Sequence, residues 1–180
     1  MFGHATLIQE LSANRTRTKI LEVGCGTGKN LINLCHNFPE AEITGLDISE
    51  DMLKVARKKL DPLANKVTLI HKPYNQPLQP TRSFELVLFS YCLSMINPSW
   101  EHAIEFAYCD LAHGGLIAVV DFNDSPLTLL KRWMYLNHVR MDGHLLPKLK
   151  SSFHPRTLKI HHAYGGVWTY FIFLGEKQVI

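Results

Sequence analysis

Three glycines and two acids carry the clearest chemistry in this chain. Gly24, Gly26 and Gly28 alternate in Lys19-Ile-Leu-Glu-Val-Gly-Cys-Gly-Thr-Gly28, and Asp47 ends the apolar run Ile43-Thr-Gly-Leu-Asp47 nineteen residues on. A turn without side chains between a strand and a helix N-terminus brings backbone close to a ligand. An acid at the tip of the next strand can accept hydrogen bonds from both hydroxyls of a ribose. Together they describe a pocket for an adenosine-containing cofactor. Spacing narrows the choice. A dinucleotide fingerprint needs G-x-G-x-x-G, with its third glycine where this chain has Lys29. Here the pattern is G-x-G-x-G, and Glu22 stands two residues before the first glycine.

These residues need a scaffold, and the apolar runs supply one. Strands are expected at Lys19–Val23, Glu42–Leu46, Val67–His71, Glu85–Phe89, Leu116–Asp121, Leu158–His162 and Trp168–Leu174. Helical patterns fall at Lys29–Phe38, Glu50–Leu60 and Ser99–Ala112, with Ser49, Asp61-Pro62, Pro98-Ser99 and Gly114-Gly115 as punctuation. That alternation predicts a parallel sheet with helices on both faces. The last two strands are joined by Ala-Tyr-Gly-Gly-Val, too short for a crossover helix, so the final strand should run antiparallel. Two further helical segments, Leu127–Val139 and Leu145–Phe153, precede them. In the first, Leu127, Leu130, Met134 and either Leu136 or Val139 form an apolar stripe that reads as core.

The segment Glu22-Val-Gly-Cys-Gly-Thr-Gly28 resembles motif I of the class I S-adenosylmethionine-dependent methyltransferases, and Leu46-Asp47-Ile48-Ser49 with Met52 resembles their second motif. A cationic sulfonium ligand without pyrophosphate suits this turn. A narrower resemblance is carried by Ser90-Tyr-Cys-Leu-Ser-Met-Ile96 followed by Pro98 and Trp100, by Ile20 to Leu31, and by Val119-Val-Asp-Phe122. It points to the methyltransferase half of betaine-lipid synthesis, which trimethylates the amine of diacylglyceryl-homoserine. The likeness covers residues 19–122 well and thins beyond Pro126. It implies one α/β domain over 1–180, a Rossmann-like seven-stranded, mostly parallel sheet with one antiparallel strand near the edge. A short N-terminal segment (1–18) and an acceptor-side helical region (126–157) flank it. It implies S-adenosyl-L-methionine as cofactor and S-adenosyl-L-homocysteine as product. The implied cofactor-binding residues are Glu22, Gly24, Cys25, Gly26, Gly28, Asp47, Ile48, Met52, Asn75, Phe89 and Ser90. Glu22 would organise the amino-acid end of the ligand. The apolar residues after Asp47 would pack on the adenine.

Two departures stand out. Relatives carry an acid after the third strand for the adenine amino group, where this chain reads His71-Lys-Pro-Tyr-Asn-Gln-Pro77. Asn75 or a backbone carbonyl is the expected substitute, with Tyr74 available to stack. Only eighteen residues precede the first strand, where relatives place further helices over the cofactor.

The loop after the fourth strand should face the transferred methyl, which makes Ser90 and Tyr91 the acceptor-side residues. Tyr91 is the first catalytic candidate, with His138 and His144 behind it. Arg132 and Arg140 are placed to pair with a carboxylate or phosphate on the substrate. The ten histidines and four cysteines show no C-x-x-C or H-x-x-x-H spacing, so no metal site is expected and the thiols read as reduced and structural.

Composition bounds the rest. With 46% hydrophobic and 19% charged residues over 180 positions, the chain has room for one full core. No run approaches the ~18 apolar residues of a membrane span. Met1–Glu10 lacks the basic start and long apolar region of a signal peptide, which places the protein in the cytoplasm. The net charge of +3 hides an asymmetry: Pro126–Ile180 holds eight Lys and Arg against Asp142 and Glu176, a net of +6. A basic third is drawn to anionic surfaces, a membrane among them. The expected function is N-methylation of an aminolipid or small amine. Alternatives are O- or C-methylation of a small aromatic or quinone-like molecule, and a non-catalytic cofactor-binding scaffold. Nucleic acid is a weak candidate, because Asn97-Pro-Ser-Trp100 lacks the second proline of the nucleic-acid enzymes. The expected partners are a small-molecule or lipid acceptor, an anionic membrane in peripheral contact, and a second copy in a homodimer.

Overall fold

The computed structural model describes residues 7, 8, 11, 18–78 and 83–178. Seven strands form one sheet: β1 (Lys19–Val23), β2 (Glu42–Asp47), β3 (Val67–His71), β4 (Phe84–Ser90), β5 (Leu111–Phe122), β6 (His154–Ala163) and β7 (Trp168–Glu176). Their order is β3-β2-β1-β4-β5-β7-β6. The pairs among β1 to β5 are parallel. β7 inserts antiparallel between β5 and β6, as the short last connection requires.

Helices α1 (Lys29–Asn37), α2 (Glu50–Leu60), α3 (Trp100–Asp110), α4 (Thr128–Leu136) and α5 (Leu145–Ser152) complete the described elements. α1 and α2 pack Leu31, Leu34, Leu53 and Ala56 on one face of the sheet, together with Leu7, Ile8 and Leu11 from the segment ahead of β1. α3 and α5 cover the other face with Ala103, Ile104, Leu145 and Leu149. The central strand β4 feeds both, Leu86 and Leu88 to the first face and Val87 and Phe89 to the second. α2 begins where Ser49 accepts from the Met52 N–H at 3.3 Å, carries Glu50 and Asp51 in its first turn, and ends on Arg57, Lys58 and Lys59. Those charges suit the helix dipole at each end.

Three differences from the sequence expectation have physical causes. β5 starts at Leu111 rather than Leu116, because its pairing with β4 is broken between Phe84 and Leu86 and Gly114 bends the strand at φ 69°. β6 starts at His154. Pro155 is tolerated there because β6 is an edge strand with a register shift between Pro155 and Thr157. The third is a correction. The stripe Leu127, Leu130, Met134, Leu136 or Val139 does not bury α4 in the core. Val139 is buried and Leu130 and Met134 are half-buried, but Leu127 and Leu136 are exposed and no α4 residue is fully buried. Neither core cluster includes an α4 residue.

Candidate active site

Short apolar strands that end in Gly, Asp or Ser leave their C-terminal ends open. β1, β2, β3 and β4 end around one cavity of about 560 Å³. The turn after β1 lends Gly24 and Gly26 to its wall, and the start of α2 lends Ile48, Ser49 and Met52. Asn75 and Tyr74 come from the segment after β3, and Cys92, Met95, Ile96, Asn97 and Ser99 from the loop after β4.

The glycines make space rather than donate. Gly24, Gly26 and Gly28 all stand at positive φ, at 71°, 53° and 76°. Their amides are already engaged. Gly24 and Cys25 donate to the Leu46 carbonyl at 2.7 and 3.1 Å, Gly28 to the Cys25 carbonyl at 3.0 Å, and Gly26 to Asp47 Oδ2 at 2.7 Å. A phosphate cradle needs free amides. This turn spends those four inside the protein, which suits a ligand without pyrophosphate.

Asp47 is the junction of the two motifs. Its Oδ2 takes the Gly26 N–H and its Oδ1 takes the Ser49 N–H at 2.8 Å, and the residue lines the cavity. Each carboxylate oxygen has a second lone pair. That leaves one acceptor site on each oxygen of a residue that lines the cavity, the number that two ribose hydroxyls require.

Glu22 lies behind this wall, not on it. It is fully buried, its Oε1 accepts from Asn30 Nδ2 at 2.7 Å, and its Oε2 has no partner. Burial foremost, and the Asp47 charge beside it, push its carboxyl up from the ordinary 4.5 to about 8 against the pull of the Asn30 bond. Between those values the folded chain holds a proton that the unfolded chain has lost, so stability falls as pH rises. Asp121 has the same sign, but only between 3.8 and about 6. A scan from pH 6.5 to 8 lies above the Asp121 window, and the difference between the chain and a Glu22 variant removes the opposite contribution of His144, whose folded pKa is lowered. The melting temperature should fall across that window, and Glu22→Gln should flatten the slope, which at most reaches ~1.4 kcal/mol per pH unit. An unchanged slope in the variant would assign the proton to another group.

The segment expected to carry an adenine acid is shaped from a distance. The Tyr74 hydroxyl donates to Asp110 Oδ2 at 2.7 Å, and the Leu78 N–H reaches both Asp110 oxygens at 2.9 and 3.0 Å. Asp110 is the buried last residue of α3, where the helix dipole disfavours an acid. These bonds offset that cost. The Tyr74 ring packs on Phe89 and Phe106, at 6.2 and 6.0 Å between centroids, and Asn75 sits on the cavity wall. Asp110 was absent from the sequence reading. Its only signal there is an acid closing a helix.

The structure redistributes the other candidates. Gly24, Gly26, Asp47, Ile48, Met52 and Asn75 line the cavity. Cys25 and Phe89 do not, because their side chains are buried in the two cores. Gly28 stands off the wall, where a Cβ would press Leu60 and Ala56 at 3.0 and 3.2 Å. Ser90 closes β4 beside Val120, off the cavity wall. The loop after β4 does line the cavity as expected, but through Met95, Ile96, Asn97 and Ser99 rather than Ser90 and Tyr91, since an uncharged loop gives no sign of which of its side chains turn inward.

Among the catalytic candidates, Tyr91 is buried on the α1 side of the sheet with its ring 4.9 Å from that of Phe122. Burial first, then Tyr170 and Asp121, push its phenol up, so it keeps its proton at neutral pH. His138 is exposed, and the site receives its backbone carbonyl, which accepts from Asn97 Nδ2 at 3.3 Å. His144 is walled off. Its Nδ1 meets Asp142 Oδ1 at 2.5 Å, its ring edge packs on Trp100 at 4.8 Å, and its Nε2 is buried without a partner. Burial lowers its pKa despite Asp142. Arg140 holds the other Asp142 oxygen at 2.7 Å and is not turned to a substrate. Both histidines therefore leave the catalytic set. A buried acid enters the site instead. Asp121, at the end of β5, accepts from the Ser94 and Phe122 N–H groups at 3.1 and 2.8 Å. Burial raises its carboxyl to about 6, so it is ionised at neutral pH beneath the β4 loop.

Comparison with known proteins agrees with this arrangement. The methyltransferase-domain family matches residues 20–115. Carboxy-S-adenosyl-L-methionine synthase of Campylobacter hominis is 27% identical over 134 residues, 72% of this chain and 56% of that protein. Demethylmenaquinone methyltransferase of Listeria welshimeri is 35% identical over 106 residues, 58% of this chain and 44% of that protein. The chain thus spans about half the length of these relatives. The crystal structure of N-methyltransferase NodS from Bradyrhizobium japonicum superposes with a TM-score of 0.79 at 15% identity, covering 98% of this chain and 94% of that one. At that identity the likeness shows the fold. A turn of three left-handed glycines, a carboxylate with two open acceptor sites and a family match across both motifs converge, and this chain belongs to the methyltransferase-domain family, with S-adenosylmethionine as its cofactor.

Proposed function

We propose that this chain transfers the methyl of S-adenosylmethionine to the amine of an aminolipid or a related small amine. The observation that carries this is a row of aromatic rings on the acceptor side. Tyr91 meets Phe122 at 4.9 Å, Phe122 meets Trp168 at 6.3 Å, and Trp168 meets Tyr164 at 4.8 Å. The row stands where β4, β5 and the β6–β7 connection come to the end of the sheet that carries the cavity, in the same core cluster as Tyr170. Ring faces attract methylated ammonium groups, worth ~0.5–2 kcal/mol each.

The bound cofactor supplies an electrophilic methyl on a sulfonium. The protein's part is geometry and charge. Asp47 and the β4 loop fix the adenosine. The aromatic row excludes water from the acceptor. A free amine has a pKa near ~10 and arrives protonated. The Tyr91 phenol cannot take that proton, and His144 is sealed from the cavity. Desolvation beside the sulfonium lowers the amine's pKa instead. The ionised Asp121 supports the positive charge in the site from behind.

The test is product analysis. The chain is incubated with S-adenosylmethionine and vesicles that carry a primary-amine lipid, with soluble amines, or with a demethylated quinol. The quinol arm answers the alternative of a quinone-like acceptor, which the similarity to a demethylmenaquinone methyltransferase raises. Methylated aminolipid supports the proposal. Methylated quinol alone replaces it. Cofactor binding with no methylated product in any arm assigns the scaffold role. Tyr91→Leu, which removes the ring face that Tyr91→Phe keeps, should slow transfer at least ~10-fold while leaving S-adenosylhomocysteine affinity unchanged, as expected of a group that positions the acceptor. Equal loss of both, or unfolding, would make Tyr91 structural.

A further inference from the structure

We propose that α4 is a membrane-docking element, which lies in the interface of an anionic bilayer and holds the site's mouth against it. The inference deepens the aminolipid reading, and its biological sense rests on that reading. Its structural basis is separate.

α4 has the sequence Thr128-Leu-Leu-Lys-Arg-Trp-Met-Tyr-Leu136. Leu129, Trp133 and Leu136 recur at helical spacing and so share one side of the helix. They are 83%, 60% and 72% exposed. Leu130 and Met134, on the inner side, are half-buried. A helix with its larger apolar residues turned outward meets something apolar. Trp133 and Tyr135 are the residue types that settle at the headgroup level of a bilayer.

Three observations choose the bilayer. The stretch from Pro126 to Arg140 has Lys131, Arg132 and Arg140 and no acid. Lys131 and Arg140 are tied to Asp124 and Asp142, so Arg132 beside the stripe carries the attraction to anionic headgroups. A second copy fits poorly, because a two-fold contact through the stripe would bring two copies of the same acid-free stretch together, with nothing in either to neutralise Arg132. The described residues of the N-terminal segment, Leu7, Ile8 and Leu11, are already spent on the α1 and α2 face.

Position completes the argument. The chain just after α4 is hydrogen-bonded to the cavity loop, with Arg140 N–H on the Ser94 carbonyl at 2.9 Å and Asn97 Nδ2 on the His138 carbonyl. Met95, on the cavity wall, is itself 49% exposed. A lipid headgroup beside α4 is beside the site.

The experiment is partition of the full chain into vesicles of phosphatidylcholine alone or with phosphatidylglycerol, read by sedimentation and by tryptophan emission, with no methyl acceptor added. The anionic vesicles should bind the chain, and Trp133 should shift to the blue and be quenched by brominated acyl chains. Leu129→Glu with Leu136→Glu should cut partition at least ~10-fold, since binding scales with buried apolar area. Arg132→Glu should reduce the preference for anionic vesicles by at least ~5-fold. Melting temperature and S-adenosylhomocysteine affinity should stay unchanged in both. Three results would overturn the proposal: no binding of the wild-type chain to anionic vesicles, equal binding by the variants, or a dimer that Leu129→Glu dissociates. Vesicle binding without methylation of aminolipid supports docking and removes only the acceptor assignment.

Discussion

Replacing Asp47 with alanine should lower the affinity for S-adenosylmethionine by about a hundredfold. Two ribose hydroxyls donating to a charged acceptor contribute ~1.5 kcal/mol or more apiece, and ~3 kcal/mol is about two decades in Kd. The same oxygens hold the Gly26 and Ser49 N–H groups in the protein itself. Alanine strands both donors, so the ligand-free chain should also melt earlier. The two effects separate with Asp47→Asn, which keeps one carbonyl acceptor and offers an amide donor in place of the other. It should recover part of the stability and little of the affinity. Calorimetric titration with S-adenosylhomocysteine beside a melting curve reads both. An unchanged affinity in Asp47→Ala would refute the ribose assignment, and equal fractional recovery of both properties in Asp47→Asn would mean that Asp47 acts only by shaping the turn.

Asp47 was legible because its signal is local. An apolar run ends on one acid, and a capped helix starts two residues later. The end of β1 and both ends of α2 are legible for the same reason, since Gly, Ser and Asp-Pro impose backbone geometry at the position where they stand. Asp110 and Asp121 were not. Each draws its meaning from partners far along the chain, Tyr74 and Leu78 for one and Ser94 for the other. Their burial is a product of the fold. The two histidines failed in the opposite sense. His144 has the right residue type at a plausible place, but Asp142 and Trp100 close around it. In α4, periodicity joined the half-buried Leu130 and Met134 to the exposed Leu127 and Leu136, because a helix apolar on two sides gives no sequence cue to which side faces the core.

The resemblance to methyltransferases held at the level of family and fold, where glycine spacing and strand order are demanding. The acceptor rests on other terms. The aromatic row gathers Tyr91, Phe122, Tyr164 and Trp168 from separate elements, and only the sheet brings them together. Ser94 links that row's neighbourhood to the cavity. Its N–H holds Asp121 and its carbonyl takes Asn97 and Arg140. Cavity loop, buried acid and the chain following α4 thus meet at one residue.

Gly24 is where that loop and the glycine turn touch, and Gly24→Ala should be the most damaging single methyl in the site. A Cβ there would lie 2.4 Å from Cys92 Sγ and 3.0 Å from Cys92 Cβ, and the backbone sits at φ +71°. The left-handed conformation costs an L-residue ~1–2 kcal/mol. Forcing atoms into a packed site costs a further ~1–3 kcal/mol. A loss of ~3 kcal/mol lowers the melting temperature by roughly 6–12 °C in a domain of this size. Cofactor affinity should fall with it, because Gly24 and Cys92 both line the cavity and the clash is relieved by parting them. The two costs can be split. Cys92→Ala removes the sulfur but not the backbone conformation. In that background Gly24→Ala should cost the conformational part and the lesser contact with the retained Cβ of residue 92, so the two substitutions should be less than additive by at least ~1 kcal/mol. Full additivity would place the whole penalty in φ and deny that the sulfur closes the turn. A stable Gly24→Ala that binds cofactor normally would mean that the turn yields freely at this point, and that the space above it, rather than the glycine, is what the ligand requires.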